Sequence, residues 1–90
     1  LNSLGKYDEA IQAYDEAIRL DPDFAEAWNL KGVTLAIHGE YDEAVRALDE
    51  AIRLNPNFAG AWYNKGLVLS ELGRTAEAKA AFTRAQELNS

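Results

Sequence analysis

Three observations predict an all-α fold built from antiparallel helix pairs. First, YDEAIQAYDEAIRLDPDF (Tyr7–Phe24) returns as YDEAVRALDEAIRLNPNF (Tyr41–Phe58), a shift of 34 residues, and setting residues 1–56 against 35–90 aligns 28 identical pairs in 56. Second, the apolar residues inside each copy fall three and four apart, the spacing of one helix face. Third, glycine and proline stand between the apolar segments, where helices stop and chains turn. A fixed period of this quality describes an array whose units bury their apolar faces on one another. No strand-like alternation competes with it.

Taken in order, residues 1–4 read as the tail of a helix that turns at Gly5. A helix is expected over about 7–20, burying Ala10, Ala13, Tyr14, Ala17, Ile18 and Leu20 and turning Asp8, Glu9, Asp15 and Glu16 outward. Pro22 ends it and presets the first turn of the next helix. AEAWNLKGVTLAIH then runs to a turn at Gly39, and the following helix repeats the buried face with Ala44, Ala47, Leu48, Ala51, Ile52 and Leu54. Pro56 marks the next connection, AGAWYNKGLVLSEL runs to Gly73, and a last helix closes the chain. Gly5, Gly39 and Gly73 occupy reversals that favour a residue tolerant of positive φ.

The chain therefore divides, as one domain of residues 1–90, into a partial repeat (1–24) and two complete repeats (25–58 and 59–90). In the third copy Lys79 and Gln86 replace the apolar pairs Ile11/Val45 and Ile18/Ile52. Polar residues where a following repeat would pack mark residues 59–90 as a C-terminal cap. Drift between repeats is the alternative.

Composition narrows the function. With 48% hydrophobic and 27% charged residues the chain is globular rather than disordered. A net charge of −6 provides no basic stripe for phosphates, which excludes nucleic acid as a partner. Acidity falls along the chain, from −4 over residues 1–24 to −3 over 25–58 and +1 over 59–90. The absence of cysteine removes disulfides, thiolate metal sites and cysteine nucleophiles. No apolar run approaches the roughly 18–20 residues of a membrane span, and no secretory signal is visible, so a cytoplasmic location and no membrane partner are expected. The lack of methionine reads as a fragment or a processed product.

No catalytic constellation emerges. His38 is the only histidine and has no second ligand at metal spacing, so it reads as a helix-end cation. The pairs Asp8–Glu9, Asp15–Glu16, Asp42–Glu43 and Asp49–Glu50 recur with the repeat and read as a solvated face rather than a general acid–base pair. Asp21-Pro22-Asp23 lacks the loop glycine and terminal glutamate of a calcium loop, and Gly32 and Gly66 are isolated helix glycines rather than a phosphate loop. No enzyme activity, cofactor or metal is expected.

The period and its marker residues resemble the tetratricopeptide repeat over the whole chain. The markers are Trp28 and Trp62; Gly32 and Gly66; the turn glycines; Ala10, Ala44 and Ala78; Tyr14, Leu48 and Phe82; Ala17, Ala51 and Ala85; and Pro22 and Pro56. One departure is that Lys31 and Lys65 stand where the family usually has leucine; their stems can pack while the charge reaches water. The resemblance implies a short right-handed superhelix, an α-solenoid, whose first helices line a concave groove for an extended peptide or a partner helix. On matching positions that groove comprises Glu26, Asn29, Leu30, Val33 and Ile37, then Tyr63, Asn64, Leu67, Ser70 and Glu71. Asn29 and Asn64 would hold a peptide backbone, and Phe24 and Phe58 would stand at the rims or seal the repeat interfaces.

Some relatives clamp acidic chaperone tails with basic residues and asparagines. Here Leu30 stands at the asparagine position, and Gly60 and Asn64 stand at basic ones, so no such binding is expected. The implied function is a non-catalytic protein-interaction scaffold with a protein or peptide partner. The alternative is a self-association module, in which the unpaired N-terminal helix swaps or stacks with a copy to give a homo-oligomer. If Trp62 is buried between paired helices, its truncation to alanine costs on the order of 3–5 kcal/mol.

Overall fold

The computed structural model describes residues 3–90, with side chains from Gly5 onward. Five helices follow in order: α1 (Ser3–Leu20), α2 (Ala25–Ile37), α3 (Tyr41–Leu54), α4 (Ala59–Glu71) and α5 (Thr75–Asn89). α2 pairs with α3 and α4 with α5 as antiparallel hairpins; α1 packs on α2, and α3 joins the two hairpins by packing on α4.

Each hairpin is held by a small-residue approach. A Cβ placed on Gly32 would meet Leu48 Cγ at 2.7 Å, and one on Gly66 would meet Phe82 Cε1 at 2.6 Å. Around these contacts Ala44, Ala47, Leu48 and Ala51 of α3 are buried, as are Ala78, Ala81 and Ala85 of α5. Full burial of Leu48 alone is worth roughly 1.5–3 kcal/mol.

The turns are built as matched pairs. Gly39 (φ 87°) and Gly73 (φ 77°) end α2 and α4. Their N–H groups donate to Ala36 and Ser70, while the next N–H groups, of Glu40 and Arg74, reach back to Leu35 and Leu69 at 2.9 Å. This is the double hydrogen bond of a Schellman ending, which satisfies carbonyls the helix leaves open. At the other connection Pro22 and Pro56 sit inside a turn closed by Phe24 N–H to Asp21 and Phe58 N–H to Asn55, both at 3.0 Å. The prolines thus shape the turn and do not open the helix, which begins three residues later. Both indoles lock that turn: Trp28 donates to the Pro22 carbonyl at 3.4 Å and Trp62 to Pro56 at 2.9 Å.

Several expectations change. Gly5 is helical, not a turn: α1 starts at Ser3 and runs through it, and its φ is not positive. Of the tail expected over residues 1–4, residues 1 and 2 lie outside the described residues. Trp62 is half-buried, packed against Leu69, Ala78 and Ala81 with the Lys65 ammonium 5.5 Å from its ring centre, so its truncation costs less than a fully buried ring would. Ala13 and Leu20 of α1 are exposed and Tyr14 is half-buried, whereas the equivalents Ala47 and Leu48 are 3% and 0% exposed. The difference is the helix that covers α3 and has no counterpart over α1 among the described residues.

The stems of Lys31 and Lys65 do pack, and their ammonium groups pair with Asp15 (2.6 Å) and Asp49 (2.7 Å) of the preceding helix. Each also lies 5.5 Å from the centre of the tryptophan three residues earlier. α1 is further tied down by Tyr7, whose ring stacks on His38 at 3.8 Å and whose hydroxyl donates to Glu40. That hydrogen bond, then burial and then the charges of Glu40, Glu43 and Asp8, push the Tyr7 pKa up to about 12. The same bond holds the Glu40 carboxyl below the usual carboxylate range.

Two measurements follow. Gly66→Ala should lower stability by about 1–3 kcal/mol in denaturant melts because the added carbon would sit 2.6 Å from Phe82 Cε1 and the ring must shift to admit it. Gly60→Ala in the same helix, with only an ordinary 3.5 Å contact to Phe58, should gain up to about 1 kcal/mol from helix propensity. Tyr7 stabilises the fold in its neutral form, with a raised pKa, so its contribution is complete below pH ~10 and is lost as pH rises towards 12. Tyrosinate absorbance should show a step centred near pH 12, absent from Tyr7→Phe.

Candidate functional site

α2 and α4 run side by side, so residues at equivalent repeat positions meet along their outward faces. Where their last turns come together a depression of about 440 Å³ opens. Val33, Ala36 and Ile37 line it from α2, and Asn64, Leu67, Val68, Ser70 and Glu71 from α4, with Tyr41 of α3 closing one side. Its lining is mostly apolar. Ile37 is 83% exposed and Leu67 45%, an unusual presentation of aliphatic surface to water.

Six of the ten residues expected in a groove therefore share one depression: Val33, Ile37, Asn64, Leu67, Ser70 and Glu71. Glu26 and Leu30 are exposed on α2 outside it. Asn29 is nearly buried, and its side-chain oxygen accepts from Asn64 Nδ2 at 3.1 Å. That bond links the two first helices of the repeats and engages part of the hydrogen-bonding capacity expected to serve a peptide backbone.

Tyr63 is placed elsewhere. It is half-exposed against Phe82, ring centres 5.5 Å apart, in a second hollow of about 620 Å³ with Ala59, Gly60, Ala85, Gln86 and Asn89. This hollow lies on the outer face of the last hairpin, beside Gln86, one of the two polar replacements of the third copy. Phe24 is exposed and Phe58 half-buried, each the residue immediately before its helix. Phe24 thus leaves much of its ring in water instead of sealing an interface.

Tyr41, Ala36 and Val68 were not anticipated. Ala36 is the repeat equivalent of Ser70, so applying the period to the first helices reaches it, whereas Val68 aligns with Thr34, which lies outside the depression, so the period gives no reason to expect it. Tyr41 belongs to a second helix, which gave no reason to expect it there.

Among the described residues no group of three or more His, Asp or Glu side chains could hold a metal ion. No helix among them is long and apolar enough to cross a membrane.

The tetratricopeptide repeat family model matches residues 3–56 and again residues 38–90. The chain belongs to the tetratricopeptide repeat family. Its hairpins stack as the short right-handed superhelix of that family. Solved structures of similar form include the crystal structure of MamA, with 30% identity and a TM-score of 0.89 over 96% of this chain and 50% of that one. They also include the second and first TPR of Spaghetti (RPAP3), each bound to the HSP90 peptide SRMEEVD. The second has 28% identity and a TM-score of 0.89 over 93% of this chain and 78% of that one. The first has 27% identity and a TM-score of 0.90 over 94% and 68%. The chain thus spans half the length of the MamA chain it matches. No curated protein matches the sequence.

Removing the Asn64 amide leaves the nearly buried Asn29 without its partner. Asn64→Ala should therefore cost about 1–3 kcal/mol of stability. Hydrogen exchange should show the loss centred on the α2–α4 contact.

Proposed function

We propose that this tetratricopeptide repeat chain is a non-catalytic interaction module that holds an extended peptide or a partner helix on the outward face of α2 and α4. One observation carries this reading. Of the six large apolar side chains exposed among the described residues, Leu30, Ile37 and Leu67 lie on these two helices, Tyr63 of α4 is exposed in the neighbouring hollow, and α3 and α5 have none. Solvating aliphatic surface is unfavourable, at roughly 25 cal/mol per Å², and a partner that covers it recovers that free energy. Peptide-bound neighbours with the same fold support the reading.

Self-association has one feature in its favour, the exposed alanine side of α1. Simple end-to-end stacking would, however, set α1 of one copy on α5 of the next. Both are second helices of their repeats, and the glycine-bearing first helix that fits between such helices inside the chain would be missing. The α2/α4 reading needs no such gap.

The test uses peptides selected from a random library on the wild-type protein. Changing both exposed residues, Ile37→Ser with Leu67→Ser, should weaken them by about tenfold or more, while Ala13→Glu on α1 leaves them unchanged. Unchanged affinity in the double variant, with loss in Ala13→Glu, would assign binding to α1.

A further inference from the structure

We infer that the α2/α4 depression selects a cationic segment: a peptide that presents lysine or arginine next to aliphatic side chains. This rests on the groove reading above and adds the charge of the partner to it. The depression runs from the middle of α4 to the ends of both helices, with Val33, Ala36 and Ile37 from the last part of α2 and Asn64, Leu67, Val68, Ser70 and Glu71 from α4. The C-terminal ends of both helices therefore border the depression, and the negative end of a helix dipole favours a cation within its last turn even where turn hydrogen bonds engage some of its carbonyls. Glu71 is the one charged side chain in the lining, and it is exposed.

Six of the chain's nine lysines and arginines are held in ion pairs away from it. Arg19, Arg53, Arg74 and Arg84 pair with glutamates on or beside their own helices. Lys31 and Lys65 turn towards Asp15 and Asp49 on the opposite side of α2 and α4. Lys79 lines a different hollow, beyond Ser70. Among the described residues, none of the lysines or arginines lines the depression.

An aliphatic side chain seated on Val33, Ile37 and Leu67 would place a neighbouring ammonium or guanidinium group near Glu71, with Ser70 and the Tyr41 hydroxyl able to accept further hydrogen bonds. A carboxylate in that position would meet Glu71 and both helix ends with the wrong sign. The acidic heptapeptide held by the two Spaghetti neighbours is accordingly the opposite of what this depression favours.

The test compares three peptides with the same apolar residues by calorimetry: SRMEEVD, an acetylated and amidated neutral version SQMQQVN and an acetylated and amidated cationic version SRMKKVK. Affinity should rise from acidic to neutral to cationic, and the cationic peptide should weaken as salt rises from about 0.05 to 0.5 M. Glu71→Gln should weaken the cationic peptide about two- to five-fold and leave the neutral one unchanged. Glu71→Lys should reverse the order. Leu67→Ser reports on the groove itself and should weaken all three. Equal or tighter binding of the acidic peptide, with Leu67→Ser still effective, overturns the charge assignment and leaves the groove reading standing. Binding indifferent to Leu67→Ser, or no binding of any peptide at millimolar concentration, overturns both.

Discussion

The close approach of glycine to a large side chain sets the rest of the structure. At Gly32 and Gly66 the backbone of a first helix comes so near to Leu48 or Phe82 that even a methyl group would collide. That distance fixes how each first helix is rotated against its partner. Ala27, Gly32 and Leu35 of α2, and Ala61, Gly66 and Leu69 of α4, are thereby turned inward. Trp28 and Trp62 then fall beside the proline turns, where their indoles donate to the Pro22 and Pro56 carbonyls. Lys31 and Lys65, next to the glycines, are aimed at the acids of the preceding helix. The remaining side of each first helix, with Val33, Ile37 and Leu67, is left to face outward, and the depression follows from the packing behind it.

The same constraint explains why α1 behaves differently from its copy. α1 and α3 share Ala10/Ala44, Ala13/Ala47 and Ala17/Ala51, yet only α3 has a first helix close against those alanines. α1 is held from its other side, through Tyr7 on His38 and Glu40 and through Asp15 on Lys31. Polar contacts thus do for α1 part of what the glycine contact does for α3 and α5. Such contacts are weaker and more sensitive to pH and salt, so the first helix is the part of the array expected to loosen first.

The period, the helix pairs and the two positive-φ glycines were legible in the sequence because each is a local property repeated in register. Gly5 misled for the same reason: it occupies the register of Gly39 and Gly73, but a glycine turns only where packing brings the next segment back. The prolines were placed correctly as connections, while their position within the turn depended on hydrogen bonds from Phe24 and Phe58 that a sequence does not display. Within the depression, Ile37, Leu67 and Glu71 could be reached by carrying the period across the two first helices. The Asn29–Asn64 bond could not, because it joins residues at different repeat positions, 29 aligning with 63 and 30 with 64. Tyr63 was drawn out of the groove by the unmatched partner Phe82, at the position held by Leu48 in the previous repeat and Tyr14 in the first.

The central claim is that partners bind where the first helices face outward and not on the bare side of α1. Methyl-resolved NMR titration with a peptide selected on the wild-type protein separates the two most directly. Shifts concentrated on Val33, Ile37 and Leu67, with the Ala10, Ala13 and Ala17 methyls unmoved, are the predicted result. Shifts concentrated on those α1 alanines, with Ile37 and Leu67 unmoved, would contradict it.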